Sequence, residues 1–356
     1  MSSWSTWLVL LGAVMLVLGI AGLLTWQRFR RRSPLPLAKA VRASAPSLAD
    51  PAALGEPPVP DRSRLGRYRI KRSLGRGSMG MVYLAHDAQQ GRAVAVKTLA
   101  LTREFDAADL ADVRERFFRE ADTAARLRHP DIVAVYEAGE ERGLAFIAME
   151  YLPGHDLLRY TLPGRLLPVP VVLRTVARVA LALAYAHTQG VVHRDVKPAN
   201  VMVDFDTGSV KVTDFGIARI TDAHRTRSGM VLGTPSFMSP EQLAGRLADG
   251  RSDLYSLGVM LFQLLTGALP HRGESMAKLL NQIANEAAPD VRTLRPELPE
   301  ALADVLTLAL EKRPELRYAD GRQMAADLRS IADQFDARAG PGAENSRLDP
   351  RHNAGH

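Results

Sequence analysis

Between the β-branched runs Val191-Val192 and Val201-Met202-Val203 the chain carries His193-Arg194-Asp195-Val196-Lys197-Pro198-Ala199-Asn200. Five charged or polar side chains clasped by apolar strands are costly unless they act together. Eleven residues after Val203 stands Asp214-Phe215-Gly216. Far upstream lies Gly75-Arg76-Gly77-Ser78-Met79-Gly80-Met81-Val82, a GxGxxGxV pattern, with Lys97 at the end of Arg92-Ala93-Val94-Ala95-Val96-Lys97. Glycines let a backbone approach a triphosphate and offer it N–H groups, while a lysine supplies positive charge. The chemistry suggested is the handling of a polyphosphate.

The elements around these residues decide how the glycines act. A dinucleotide fingerprint needs a helix directly after its last glycine and an acid about 20 residues on. Here Met81 to His86 alternates as a strand, Asp87 to Gly91 is a turn, and Arg92 to Lys97 is a second strand. Together with Tyr68 to Leu74 before them, the glycines therefore join two strands of a hairpin. That hairpin would lie over the triphosphate, with Leu74 and Val82 flanking the base. From Asp106 to Arg128 the pattern is helical, and Glu120 within it is either the carboxylate that fixes Lys97 or a solvated helix glutamate. Pro170 to Thr188 and Ser252 to Leu265 read as buried helices.

In order and spacing these motifs, with Ser239-Pro240-Glu241, resemble the eukaryotic-like protein kinases, and in detail the bacterial serine/threonine kinases of that family. The resemblance covers residues 68–335. It implies an α+β, bilobal kinase fold: a small β-rich N-lobe (68–150) with one key helix and a larger, mostly helical C-lobe (153–335). It implies that Asp195 is the catalytic base, that Lys197 reaches the γ-phosphate, and that Lys97, fixed by Glu120, grips the α- and β-phosphates. ATP would be bound by Leu74, Val82 and the loop of Gly75, Arg76, Gly77, Ser78, Met79, Gly80 and Met81, and at the hinge by Glu150 and Leu152. Met149 would be the gatekeeper and Asp156 would reach the ribose. Asn200 and Asp214 would hold Mg²⁺, or Mn²⁺, since hard cations take oxygen ligands. Lys197 also implies Ser/Thr rather than Tyr as acceptor.

Further roles follow from the same resemblance. Arg194, beside the base, would be paired by an activation-segment phosphate on Thr226 or Ser228, the autophosphorylation candidates. Thr234 is expected to be structural, Asp253 to anchor the catalytic loop, and Glu241 to pair with Arg317. Ser239, Phe237 and Arg313 depart from the family's commonest residues, and none would touch phosphate or metal. A pseudokinase scaffold is the alternative function, but it normally needs a lost Lys, Asp or Gly, and here Lys97, Asp195, Asn200 and Asp214 are all present. A small-molecule phosphotransferase generally lacks Lys197 and the Ser239-Pro240-Glu241 segment.

The 356 residues carry a net charge of +7, of which the first 67 residues account for +6. The near-neutral remainder gives no stripe for nucleic acid, and with no cysteine there is no disulfide or thiolate chemistry. Trp7 to Trp26 is 20 residues without a charge, enough to cross a ~30 Å hydrocarbon core, followed by Arg28, Arg30, Arg31 and Arg32. The expectation is a single transmembrane helix over 7–26 in the inner membrane, with the kinase domain in the cytoplasm where ATP is. About six residues would lie outside, too few for a sensor domain, so regulation is expected from the cytoplasmic side. Residues 27–67, basic and then rich in Pro and Ala, read as a linker, and 336–356 as a disordered tail. Partners expected are Ser/Thr protein substrates, the membrane, a second copy of the kinase and an opposing phosphatase, and no nucleic acid.

Overall fold

The computed structural model describes residues 64–77, 80–101, 108–215 and 235–339, all within one compact unit, Pro60–His356. The first lobe is an antiparallel sheet of β1 (Arg64–Leu65), β2 (Tyr68–Gly77), β3 (Gly80–Asp87), β4 (Arg92–Leu99), β5 (Val135–Glu141) and β6 (Leu144–Glu150), in the order β1-β2-β3-β4-β6-β5. The period-2 alternation sets its two faces. Along β4, Val94 and Val96 pack with Tyr68, Ala85 and Phe146, while Ala95 turns to the opposite side, against Val133 and Met149. The β2–β3 hairpin closes with Gly77 opposite Gly80. Gly80 has φ +156, and a Cβ there would sit 1.8 Å from the Thr98 carbonyl oxygen, so no other residue fits.

Helix α1 (Leu110–Ala125) buries Val113, Phe117, Glu120, Ala121 and Ala124, an i, i+4, i+7 stripe, and Phe117 packs against Leu99, Leu101 and Ile147. The second lobe holds a small sheet of β7 (His155–Asp156), β8 (Val201–Asp204) and β9 (Ser209–Val212). Around it stand α2 (Val169–Thr188), α3 (Pro240–Leu243), α4 (Gly250–Thr266), α5 (Met276–Asn285), α6 (Glu300–Ala309) and α7 (Gly321–Ala339). Helix α4 is buried almost all round, as its sequence predicts, and it ends on Gly267 in the left-handed region (φ +72). Among the described residues α2 alone is long and apolar enough to cross a membrane, yet it is mostly buried and packs against α4 and α7 as a core helix.

Two boundaries differ from expectation. The linker read through residue 67 ends sooner, because Arg64–Leu65 pairs with Tyr68 and Arg69, and Leu65 is buried. The tail read from 336 begins later, because α7 continues to Ala339, with Arg174 of α2 bridging Asp333 and Asp336 on its last turns. The candidate membrane segment 7–26 lies outside the described residues.

One buried polar cluster makes stability pH-dependent. His271, 5% exposed, accepts from Lys312 Nζ at 3.1 Å, and Lys312 also donates to the Ile283 carbonyl at 2.8 Å. Burial and then the Lys312 charge push the His271 pKa down to about 4, from an ordinary value of 6.5. The folded state thus binds fewer protons than the unfolded chain between those values. This stabilisation is full above pH 6.5 and is lost as the pH falls toward 4, by roughly 3 kcal/mol. In thermal melts between pH 4 and 7, His271→Gln is expected to flatten this slope; an unchanged slope would remove His271 as its cause.

Candidate active site

A cleft of about 560 Å³ opens between the lobes. Its apolar end is walled by Leu74, Val82, Ala95, Val133 and Met149, with Met202 of β8 from the second lobe. The hinge residues Glu150, Tyr151 and Leu152 edge it. The Glu150 N–H donates to the Ala134 carbonyl at 2.9 Å, and its carboxylate accepts from Lys211 Nζ at 2.9 Å, which fixes the hinge against the strand before it and against β9. Leu74, Gly75, Arg76, Val82 and Asp156 line the cleft as expected. Ser78 and Met79 lie outside the described residues.

At the polar end the expected groups converge. The chain turns from Arg194 (φ 68) through Asp195, and again at Asp214 (φ 64), both in the left-handed region that side-chain-bearing residues rarely adopt. Such strain persists only where the surroundings over-determine it. Asp253, fully buried on α4, supplies that constraint: its carboxylate accepts from the backbone N–H of His193 (2.8 Å) and Arg194 (2.7 Å), and from His187 Nε2 (2.8 Å). His193, also fully buried, accepts from the Asp195 N–H through Nδ1 at 3.2 Å. It therefore carries its proton on Nε2, which donates to the Thr213 carbonyl at 2.8 Å. One imidazole thus ties the loop of Asp195 to the strand end before Asp214.

Asp195 Oδ2 receives Lys197 Nζ at 2.7 Å and Asn200 Nδ2 at 3.0 Å, and the same amide nitrogen donates to the Asp195 carbonyl at 2.8 Å. With its nitrogen committed, Asn200 keeps Oδ1 as an oxygen donor. Burial pushes the Asp214 carboxyl up, but the charge and hydrogen bond of Lys97, with the charge of Lys197, hold it below the ordinary carboxylate range. An ionised carboxylate and an amide oxygen on one cleft wall suit a hard divalent cation completed by phosphate oxygens. Among the described residues no cluster of three or more His, Cys, Asp or Glu forms a metal cage. The donor set fits an ion that arrives with a polyphosphate.

Lys97 was expected to pair with Glu120, whereas the ion pair found for it among the described residues is with Asp214. Lys97, 2% exposed, instead places Nζ 2.8 Å from Asp214 Oδ1. A buried ammonium must have a counter-charge, and the backbone turn at Asp214 brings that carboxylate to β4. Glu120 is buried on the inner face of α1 and is not a solvated helix residue.

Two supporting residues escaped the sequence reading. Gln242 Nε2 donates to the Arg194 carbonyl at 3.0 Å, from a helix whose capping box joins Ser239 and Gln242. The S-x-x-Q spacing announces that cap, though not its reach. His187 had no local signal, since its partner Asp253 lies 66 residues on. The expected Glu241–Arg317 pair does form, at 2.7 and 2.8 Å. Gly216, Thr226, Ser228 and Thr234 lie outside the described residues.

The family model for the protein kinase domain matches residues 68–327. The chain belongs to the protein kinase family. This kinase-family chain is 39% identical over 269 residues to serine/threonine-protein kinase PrkC of Bacillus subtilis, covering 75% of this chain and 41% of PrkC. It is 40% identical over 276 residues to serine/threonine-protein kinase pkn3 of Myxococcus xanthus, covering 74% of this chain and 50% of that one. The chain thus spans roughly half or less of the length of these curated relatives. In fold it is similar to the kinase domain of PknI from Mycobacterium tuberculosis, with a TM-score of 0.62 and 34% identity, over 75% of this chain and 97% of that one.

Proposed function

We propose that this chain is an ATP-dependent serine/threonine protein kinase, held at the cytoplasmic face of a membrane by residues 7–26. The observation that carries the reading is the clasp of Asp195 by Lys197 and Asn200, facing the Lys97–Asp214 pair across one cleft. Asp195 orients the acceptor hydroxyl and takes its proton as the oxygen attacks the γ-phosphorus and the bond to the β-phosphate oxygen breaks. Lys197 neutralises charge on the transferred group, and Lys97 holds the α- and β-phosphates, the division of labour that a loose transition state requires. A divalent cation, Mg²⁺ or Mn²⁺, held by Asn200 Oδ1 and the Asp214 carboxylate, would neutralise phosphate charge. Glu120 is, in this reading, the carboxylate that receives Lys97 once Asp214 turns to the metal. The pseudokinase alternative has no support, since each of these groups is in place.

Relatives named serine/threonine-protein kinases support protein Ser/Thr hydroxyls as acceptors. Thr226 and Ser228 are the proposed autophosphorylation sites, and Arg194 the cation that their phosphate would meet. A second copy of the kinase and an opposing phosphatase are the proposed regulatory partners. The test is incubation of fragment 60–356 with ATP and Mg²⁺ or Mn²⁺, beside Asp195→Asn, with phosphosites mapped by mass spectrometry. Phosphate on Thr226 or Ser228 in the parent only is the expected result. No phosphate with either metal, despite ATP binding, would overturn the reading.

A further inference from the structure

Residues 62–76 contain seven cations, Arg62, Arg64, Arg67, Arg69, Lys71, Arg72 and Arg76, and no acid, whereas the chain beyond residue 67 is close to neutral. The structure shows where this charge sits. Arg64 of β1 lies directly opposite Arg69 of β2, Arg69 opposite His86, and Arg72 opposite Leu84 two residues along β3. Side chains paired across an antiparallel ladder share a face, so Arg64, Arg69 and Arg72 stand on one side of the sheet edge. All three are exposed, as is Lys71 in the bulge between Ile70 and Arg72.

Among the described residues the nearby acids are already engaged elsewhere. Asp87 and Glu137 are both engaged by Arg67, and Glu141 accepts the Gly66 N–H. Among the described residues Arg64, Arg69, Lys71 and Arg72 make no ion pair. Like charges directly opposite one another destabilise a strand pair, so the arrangement is unfavourable for the fold alone and favourable for binding an anion.

We infer that this face of the N-lobe docks on an anionic lipid surface. The occupant follows from charge complementarity and from position in the chain. Thirty-seven residues separate the apolar run 7–26 from Arg64, and a flexible linker of that length would span roughly 35 Å. The inference rests on the proposed membrane anchor for this proximity. Tethering at that range keeps the basic face within reach of the leaflet. Each basic side chain near an anionic surface then adds about five-fold to partitioning, an effect weakened by salt. The cleft and its acceptor side would be held in a preferred orientation to the membrane, restricting substrates to those presented there.

The test uses fragment 60–356, which lacks the apolar run but is a compact unit of its own. It is floated with vesicles of neutral phosphatidylcholine, or of the same lipid with about one-third phosphatidylglycerol. The parent should bind the anionic vesicles at least ten-fold better and should release in 0.5 M salt. Arg64→Gln, Arg69→Gln and Arg72→Gln combined should lose at least ten-fold of that binding while melting and phosphorylating a soluble Ser/Thr peptide like the parent. Equal binding to both vesicles, or undiminished binding by a folded triple variant, would overturn the inference. Capture by poly-glutamate or duplex DNA without vesicle binding would also overturn it, replacing lipid by another polyanion. Membrane fractionation of the full chain with and without residues 1–33 tests the anchor separately.

Discussion

Asp195→Asn is expected to lower the rate of phosphoryl transfer by about two to four orders of magnitude, with ATP affinity changed by less than about three-fold. The substitution keeps the side chain's shape but removes both the proton acceptor and the negative charge. Asp195 Oδ2 accepts from Lys197 and Asn200, and an asparagine there can keep one oxygen acceptor while its NH₂ faces donors it cannot satisfy. The apolar walls and hinge that hold the base are untouched, so the loss falls on the chemical step. Single-turnover kinetics on fragment 60–356, with nucleotide affinity measured by calorimetry, separate the two. A rate within ten-fold of the parent would remove Asp195 as base.

The second large effect is on stability. Arg317→Ala should cost about 3–5 kcal/mol, because it leaves a buried carboxylate without its partner. Arg317 grips both Glu241 oxygens, donates through Nε to the Glu311 carbonyl at 2.7 Å and through Nη2 to the Lys312 carbonyl at 2.9 Å, and stacks 4.9 Å from the Tyr255 ring centre. For a domain of this size the melting temperature should fall by roughly 10 °C. Removing both charges with Glu241→Gln and Arg317→Met should recover part of the loss, the signature of a coupled pair. Burial pushes the Glu241 carboxyl up, but Arg317 and Ser252 outweigh it and hold it below the ordinary range. Its stabilisation is therefore present above the ordinary carboxylate pKa and is lost as the pH falls through the lowered one. A loss under 1 kcal/mol in denaturant unfolding would show the pair to be unimportant.

The pairing of Glu241 with Arg317 was legible at a distance of 76 residues only because the motifs resemble a known family. Period and backbone demands were legible without that help. The alternation after Gly80 excluded a helix, and its glycine was required by the Thr98 carbonyl. The apolar residues recurring at helical spacing from Ser252 to Leu265 predicted the buried core helix that carries Asp253 at its start. Boundaries were less legible: Arg64–Leu65 and the last turn of α7 look like linker and tail because short pairings and a charged helix end leave little periodic signal.

The sequence by itself determined the family and singled out the residues proposed to carry its chemistry, because hairpin, helix and polar-loop signals are local and their order along the chain is specific. The tertiary structure alone decided which carboxylate holds Lys97, how Gln242 and His187 brace the loop of Asp195, and where the exposed arginines of the sheet edge gather. These outcomes depend on how elements distant in the chain are set against one another. A buried charge takes the counter-charge that packing brings within about 3 Å, and spacing along the chain does not encode that distance.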